Sequence, residues 1–175
     1  PDALQTTSES ISEEELSVIF QHINLAIADL QNFRTQEGKV LEKDFVLRIN
    51  NIYRLLQEVQ GLDEERLALI RERLEKAVAD IQNVDANRFE HELIFYLEKL
   101  DITEEKIRLK KHLDYFLETL HSEESNGRKL SFIAQEIGRE VNTLGSKANF
   151  APMQQLVVQM KDELEKIKEQ VLNVL

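Results

Sequence analysis

The chain of 175 residues contains no cysteine and no tryptophan, and only two prolines and five glycines. Without cysteine there is no disulfide scaffold, no thiolate zinc site and no cysteine nucleophile; carboxylates and four histidines are left as ligands. No apolar run approaches the roughly 18 residues that a membrane span needs, and no charged-then-apolar leader opens the chain. A soluble intracellular protein is therefore expected. A glycine-rich phosphate loop, a Gly-x-Ser-x-Gly elbow, a His-Glu-x-x-His pair and an aromatic RNA-binding strand motif are all missing.

Acidic residues dominate, 33 against 22 Lys plus Arg, for a net charge of −11. Most of the excess lies in residues 1–86, at −8, whereas residues 87–149 carry only −2. A polyanion site therefore has to be a local patch in the middle segment, because the field of the whole molecule repels such a ligand.

The pattern is helical throughout and no strand signal competes, so the expected fold is all-α, a long antiparallel helical hairpin followed by a compact bundle. After a flexible segment, 1–11, the pair Ser12-x-x-Glu15 reads as a capping box. Leu16, Ile19, Phe20, Ile23, Ala26, Ile27, Leu30 and Phe33 then recur at helical spacing, as do Leu41, Phe45, Ile49, Ile52, Leu56 and Val59. Gly61 ahead of Asp63-Glu64-Glu65 suggests a break and a new N-terminus, followed by a stripe of Leu67, Ile70, Leu74, Ala77, Ile81 and Val84. Residues 12–86 thus read as a helical region with a coiled-coil-like hairpin formed by the last two stripes. Helices are expected next over 87–100, 103–121, 128–147 and 152–174. The last has Pro152 in its first turn and a seam of Met153, Val157, Met160, Leu164, Ile167 and Val171 that suits core packing or a partner helix.

Candidate chemistry lies between Arg88 and Lys147. At 100° per residue, Asp101, Glu105, Arg108 and His112 fall within about 60° of one another, beside an apolar face. The stripe offers carboxylate and imidazole ligands for a divalent ion and a guanidinium for phosphate. Asp101-x-x-Glu104 is equally a capping box, the structural alternative for Asp101. In the following helix Arg128, Gln135, Arg139, Asn142 and Ser146 share a narrow arc, bordered by Glu136, Glu140, Thr143 and Lys147. Glu136 and Glu140, four residues apart, repel unless a cation or an arginine stands between them, so metal binding and structural ion pairing both remain open. His22, His91 and His121 read as surface or core-edge residues. Phe89, Phe95, Tyr96 and Phe132 are suited to stacking on bases, though their helical spacing favours the core.

The runs Asn87-Arg88-Phe89-Glu90-His91-Glu92-Leu93, Asp101-Ile102-Thr103-Glu104-Glu105, Arg108-Leu109-x-x-His112, Gly127-Arg128-Lys129-Leu130-x-Phe132, Gln135-Glu136 and Asn142-Thr143-Leu144-Gly145-Ser146-Lys147 resemble, in order, the C-terminal domain of the YicC/YloC family. Glu163 to Asn173 is similar to that family's C-terminus, and a weaker likeness reaches upstream through Arg34-x-x-Glu37-Gly38. The sequence departs from the family at Gly138, where asparagine is usual, and it looks like a C-terminal part lacking most of an N-terminal region that contains a β-sheet.

The resemblance implies a bacterial cytoplasmic endoribonuclease that depends on a divalent metal (Mn or Mg), hydrolyses single-stranded or structured RNA and assembles as a ring-like hexamer. Set on the matching positions, metal ligands are expected at Glu105, Glu136, Glu140 and Asp101, with His112 as general base or acid beside the same three glutamates. Arg88, Arg108, Arg128, Gln135, Arg139, Asn142, Ser146 and Lys147 are the expected RNA contacts. The alternative is a non-catalytic helical module for RNA binding or oligomerisation.

Overall fold

The computed structural model describes residues 11–79, 85–122 and 126–174. Five helices follow one another among them: α1 (Glu13–Val78), α2 (Ala86–Lys99), α3 (Thr103–Leu120), α4 (Gly127–Ala148) and α5 (Ala151–Val171). No strand occurs among the described residues, so the expected all-α class holds. Ile81, Val84 and residues 1–10 of the expected N-terminal segment lie outside them. The chain divides into two units, residues 1–41 and 42–175.

The first unit is described as the opening part of α1. Its start is the expected capping box, in which Glu15 N donates to Ser12 Oγ at 3.2 Å and Ser12 N donates back to Glu15 Oε2 at 2.9 Å. The apolar stripe of Leu16, Ile19, Phe20, Ile23, Ile27, Leu30 and Phe33 is exposed in this chain.

In the second unit, Phe45, Ile49, Ile52, Leu56 and Val59 of α1 are buried with Leu109, Leu113 and Phe116 of α3, Ile133, Ile137, Val141 and Leu144 of α4, and Met153, Met160, Leu164 and Ile167 of α5. Phe45 meets Phe116 edge to face with centroids 5.7 Å apart. The seam of α5 is therefore core, and α4 packs between α3 and α5. Gly145 permits the close approach of α4 to α5, because a Cβ there would stand 2.9 Å from Val157 Cγ1.

The expected hairpin turn at Gly61 is corrected: α1 runs unbroken from Glu13 to Val78, with no positive φ at any glycine. A glycine inside a helix costs only about 1 kcal/mol, and the residues after it are held from outside. Arg66, 1% exposed, donates to Asp63 Oδ1 at 2.9 Å and to the carbonyl oxygens of Leu100 at 3.0 Å and Ala148 at 3.4 Å. Lys106 pairs with the other oxygen of Asp63 at 2.5 Å. These contacts fasten α1 beyond Gly61 to the α2–α3 junction and to the C-terminus of α4, where a cation also meets the negative end of the helix dipole.

Candidate functional site

α3 and α4 run antiparallel. Lys147, in the last turn of α4, donates to Glu105 Oε1 at 2.8 Å and to the Asp101 carbonyl at 3.1 Å, whereas Lys129, in the first turn of α4, stands 4.9 Å from the ring centroid of Tyr115 near the end of α3. Between those two ends Glu140 is 9% exposed. Burial pushes its carboxyl above the ordinary carboxylate range; Arg108 and His112 pull it down, while Glu105 and Glu136 push it up again. The charges acting on Glu140 thus come from both helices, and the seam gathers Glu105, Arg108 and His112 of α3 with Glu136, Glu140 and Lys147 of α4.

The remaining expected residues sit elsewhere. Asp101 accepts from the Thr103 backbone at 3.1 Å and from its hydroxyl at 2.7 Å, the contact that most lowers its carboxyl below the usual range, and so it serves the start of α3. Arg88 is exposed in the first turn of α2, where Asp85 caps the backbone. Arg128, Gln135, Arg139, Asn142 and Ser146 line the exposed side of α4. Arg139 is paired with Glu136 at 2.6 Å, Ser146 Oγ donates to the Thr143 carbonyl at 2.9 Å, and Arg108 is paired with Glu104. His22, His91 and His121 are exposed.

The carboxylates do not form an ion cage as they stand. Lys147 occupies one oxygen of Glu105, Arg139 one of Glu136 and Thr103 one of Asp101, and among the described residues no three His, Asp or Glu side chains are grouped to hold a metal. What is left over is one buried acceptor: Glu105, 4% exposed, has its Oε2 without a hydrogen-bond partner among the described residues. Such an atom calls for a donor, which a ligand hydroxyl would supply.

Two features escaped the reading of the sequence. The cluster of Arg66, Asp63 and Lys106 behind the seam carries only the weak signal of Asp63 and Arg66 three residues apart. Phe132 and Phe95, assigned to the core by spacing, are 67% and 54% exposed. On α4 the large apolar side chains that are buried are Leu130, Ile133, Ile137, Val141 and Leu144, and Phe132 stands off that face, one turn beyond Arg128.

Fold and site together define an all-α protein whose polar seam between two antiparallel helices holds a buried carboxyl on which the charges of a guanidinium and an imidazole act. The family model for "Endoribonuclease YicC-like, C-terminal" matches residues 57–175. A probable endoribonuclease YicC of Clostridioides difficile is 33% identical over 179 residues, covering 99% of this chain and 61% of that protein. Another probable endoribonuclease YicC, from Haemophilus influenzae, is 33% identical over 167 residues, covering 93% of this chain and 58% of that protein. The chain belongs to the YicC-like endoribonuclease family. It spans about three fifths of the length of these relatives.

Proposed function

We propose that this chain supplies the RNA-cleaving site of an endoribonuclease, and that the site is the α3–α4 seam. The observation that carries the reading is Glu140, a carboxyl 9% exposed in the α3–α4 seam, its proton affinity raised by burial while the charges of Arg108 and His112 act on it from the neighbouring helix. A carboxylate whose proton affinity is raised is a better general base than an ordinary glutamate. In the proposed reaction Glu140 takes the proton of the RNA 2′-hydroxyl, the 2′-oxygen bonds to phosphorus, the bond from phosphorus to the 5′-oxygen breaks, and His112 returns a proton to that oxygen. The products are a 2′,3′-cyclic phosphate and a free 5′-hydroxyl. Arg108 and Lys147 carry charge on the phosphoryl oxygens, and Glu105 Oε2 accepts a hydrogen bond from a ribose hydroxyl. Arg128, Gln135, Arg139, Asn142 and Ser146 hold the neighbouring strand.

The divalent ion implied by the family likeness would have to displace Lys147 from Glu105 and Arg139 from Glu136, so the carboxylates as paired do not fit it. Self-association, the ring-like hexamer that the likeness implies, is supported by the exposed apolar stripe of Leu16 to Phe33. A cytoplasmic location goes with the same reading; no helix among the described residues is long and apolar enough to cross a membrane. A second reading, a module that binds RNA without cutting it, is favoured by the ion pairs that occupy Glu105 and Glu136.

The test uses the natural protein carrying this chain and an RNA identical except for one 2′-deoxy nucleotide at a mapped cleavage position. Loss of cutting at that position alone supports the 2′-hydroxyl as nucleophile. Undiminished cutting there contradicts it, and absence of any cleavage leaves the non-catalytic module as the better account.

A further inference from the structure

We propose that Phe132 is a stacking platform for an unpaired base, so that the seam takes single-stranded rather than duplex RNA. This rests on the RNA reading above and narrows its substrate class. A phenylalanine left in water forgoes roughly 1.5–3 kcal/mol of burial. In the same fold Phe45 and Phe116 are fully buried, whereas Phe132 is 67% exposed.

The surroundings of the ring favour a nucleic acid over another protein surface. On a helix its neighbours are the residues three and four away, here Arg128, Lys129, Gln135 and Glu136, all polar. The ring therefore stands alone among hydrogen-bonding and charged groups, the combination of π-face and cation on which bases stack while phosphates are neutralised. Charge agrees: α4 carries Arg128, Lys129, Arg139 and Lys147 against Glu136 and Glu140, a net +2 in a chain of −11. Lys129 also leans over the half-exposed ring of Tyr115, which extends the same aromatic and cationic surface onto α3.

Position along the helix links the ring to the chemistry. Phe132 lies one turn before Glu136 and two before Glu140, about 6 and 12 Å along the axis. A base stacked there belongs to a nucleotide beside the one being cut. The bases of a duplex are already stacked on each other and offer no free face, so the platform discriminates against paired RNA.

The test is binding of a short single-stranded RNA carrying one 2-aminopurine to the complete chain, followed by fluorescence quenching and anisotropy. The wild type is expected to quench the probe. Phe132→Ala is expected to abolish quenching and weaken binding by roughly 5- to 150-fold, the span of one aromatic stack, while Phe132→Tyr retains both. A duplex of equal length is expected to bind wild type and Phe132→Ala alike. Because the side chain is exposed, thermal unfolding of the alanine variant is expected to match the wild type. Single-strand binding with full quenching by Phe132→Ala overturns the platform and leaves the seam standing. An oligomer that dissociates on the same substitution, with quenching intact, assigns the ring to a protein interface and also overturns it. No RNA binding by the wild type at low salt overturns the platform and the RNA reading together.

Discussion

Lys147 Nζ stands 2.8 Å from Glu105 Oε1, tying the last turn of α4 to the first turn of α3 across the mouth of the seam. The glutamate is 4% exposed, and that ammonium is its ion-pair partner. Removing one partner of such a pair leaves an uncompensated charge, whereas removing both does not. Lys147→Met is expected to cost about 1–3 kcal/mol in urea unfolding, and Lys147→Met with Glu105→Gln to recover most of it. A double variant no better than the single one would show that the loss is packing and not charge.

Arg66 is the larger structural dependency, because one buried guanidinium serves Asp63 and the carbonyl oxygens of Leu100 and Ala148. Arg66→Met strands those acceptors and is expected to lose about 3–5 kcal/mol of stability. Denaturant midpoints measure it. A loss below about 1 kcal/mol, the worth of a single ordinary hydrogen bond, would mean that α1 beyond Gly61 is held by something else.

Much of this architecture is legible in the residues, and the exceptions have physical reasons. The periodic apolar positions of residues 86–171 mark four helices whose observed ends fall within three residues of those expected, because each helix buries one continuous face. Gly61 misleads, since the local signal for a break is weaker than the long-range grip of Arg66, which no local pattern carries. For the seam, projection groups residues on one helix, but only the antiparallel pairing of α3 with α4 sets Arg108 and His112 against Glu140. Phe132 is misplaced by its residue type, although its position after Arg128 already sets it on the polar arc.

The buried Glu140 and the part-buried Glu163 are expected to respond to pH in opposite senses. Glu140 has its carboxyl raised in the fold, chiefly by burial, so its protonated form favours folding below the ordinary value of 4.5 and that contribution is lost as pH rises through the folded value. Glu140→Gln is therefore expected to gain stability relative to wild type as pH climbs from 4.5 to neutrality. Glu163 is pushed up by burial but brought lower overall by donors on Asn51, Lys166 and Arg48. Its contribution is present above 4.5 and lost as pH falls through its lower folded value, so Glu163→Gln is expected to be the less stable protein at neutral pH and to converge with wild type in acid. Thermal unfolding across the range checks both signs.

The glycines separate by what a methyl group would meet. A methyl group at Gly61 would meet nothing within 4 Å, so Gly61→Ala is expected to stabilise by about 0.5–1 kcal/mol through helix propensity alone. At Gly145 the added carbon would collide with Val157 Cγ1, and Gly145→Ala is expected to lose about 1–3 kcal/mol by overpacking. Equal shifts in melting temperature for the two variants would contradict the close approach of α4 and α5.

The most direct measurement is RNA cleavage by the natural protein carrying this chain, with Glu140→Gln and His112→Gln each compared with wild type at matched folding. Loss of a general base or acid is expected to slow cutting by about 100- to 10,000-fold while RNA affinity stays within a few fold. Cleavage at the wild-type rate by either variant would remove that side chain from the chemistry, and wild-type rates in both would remove the seam.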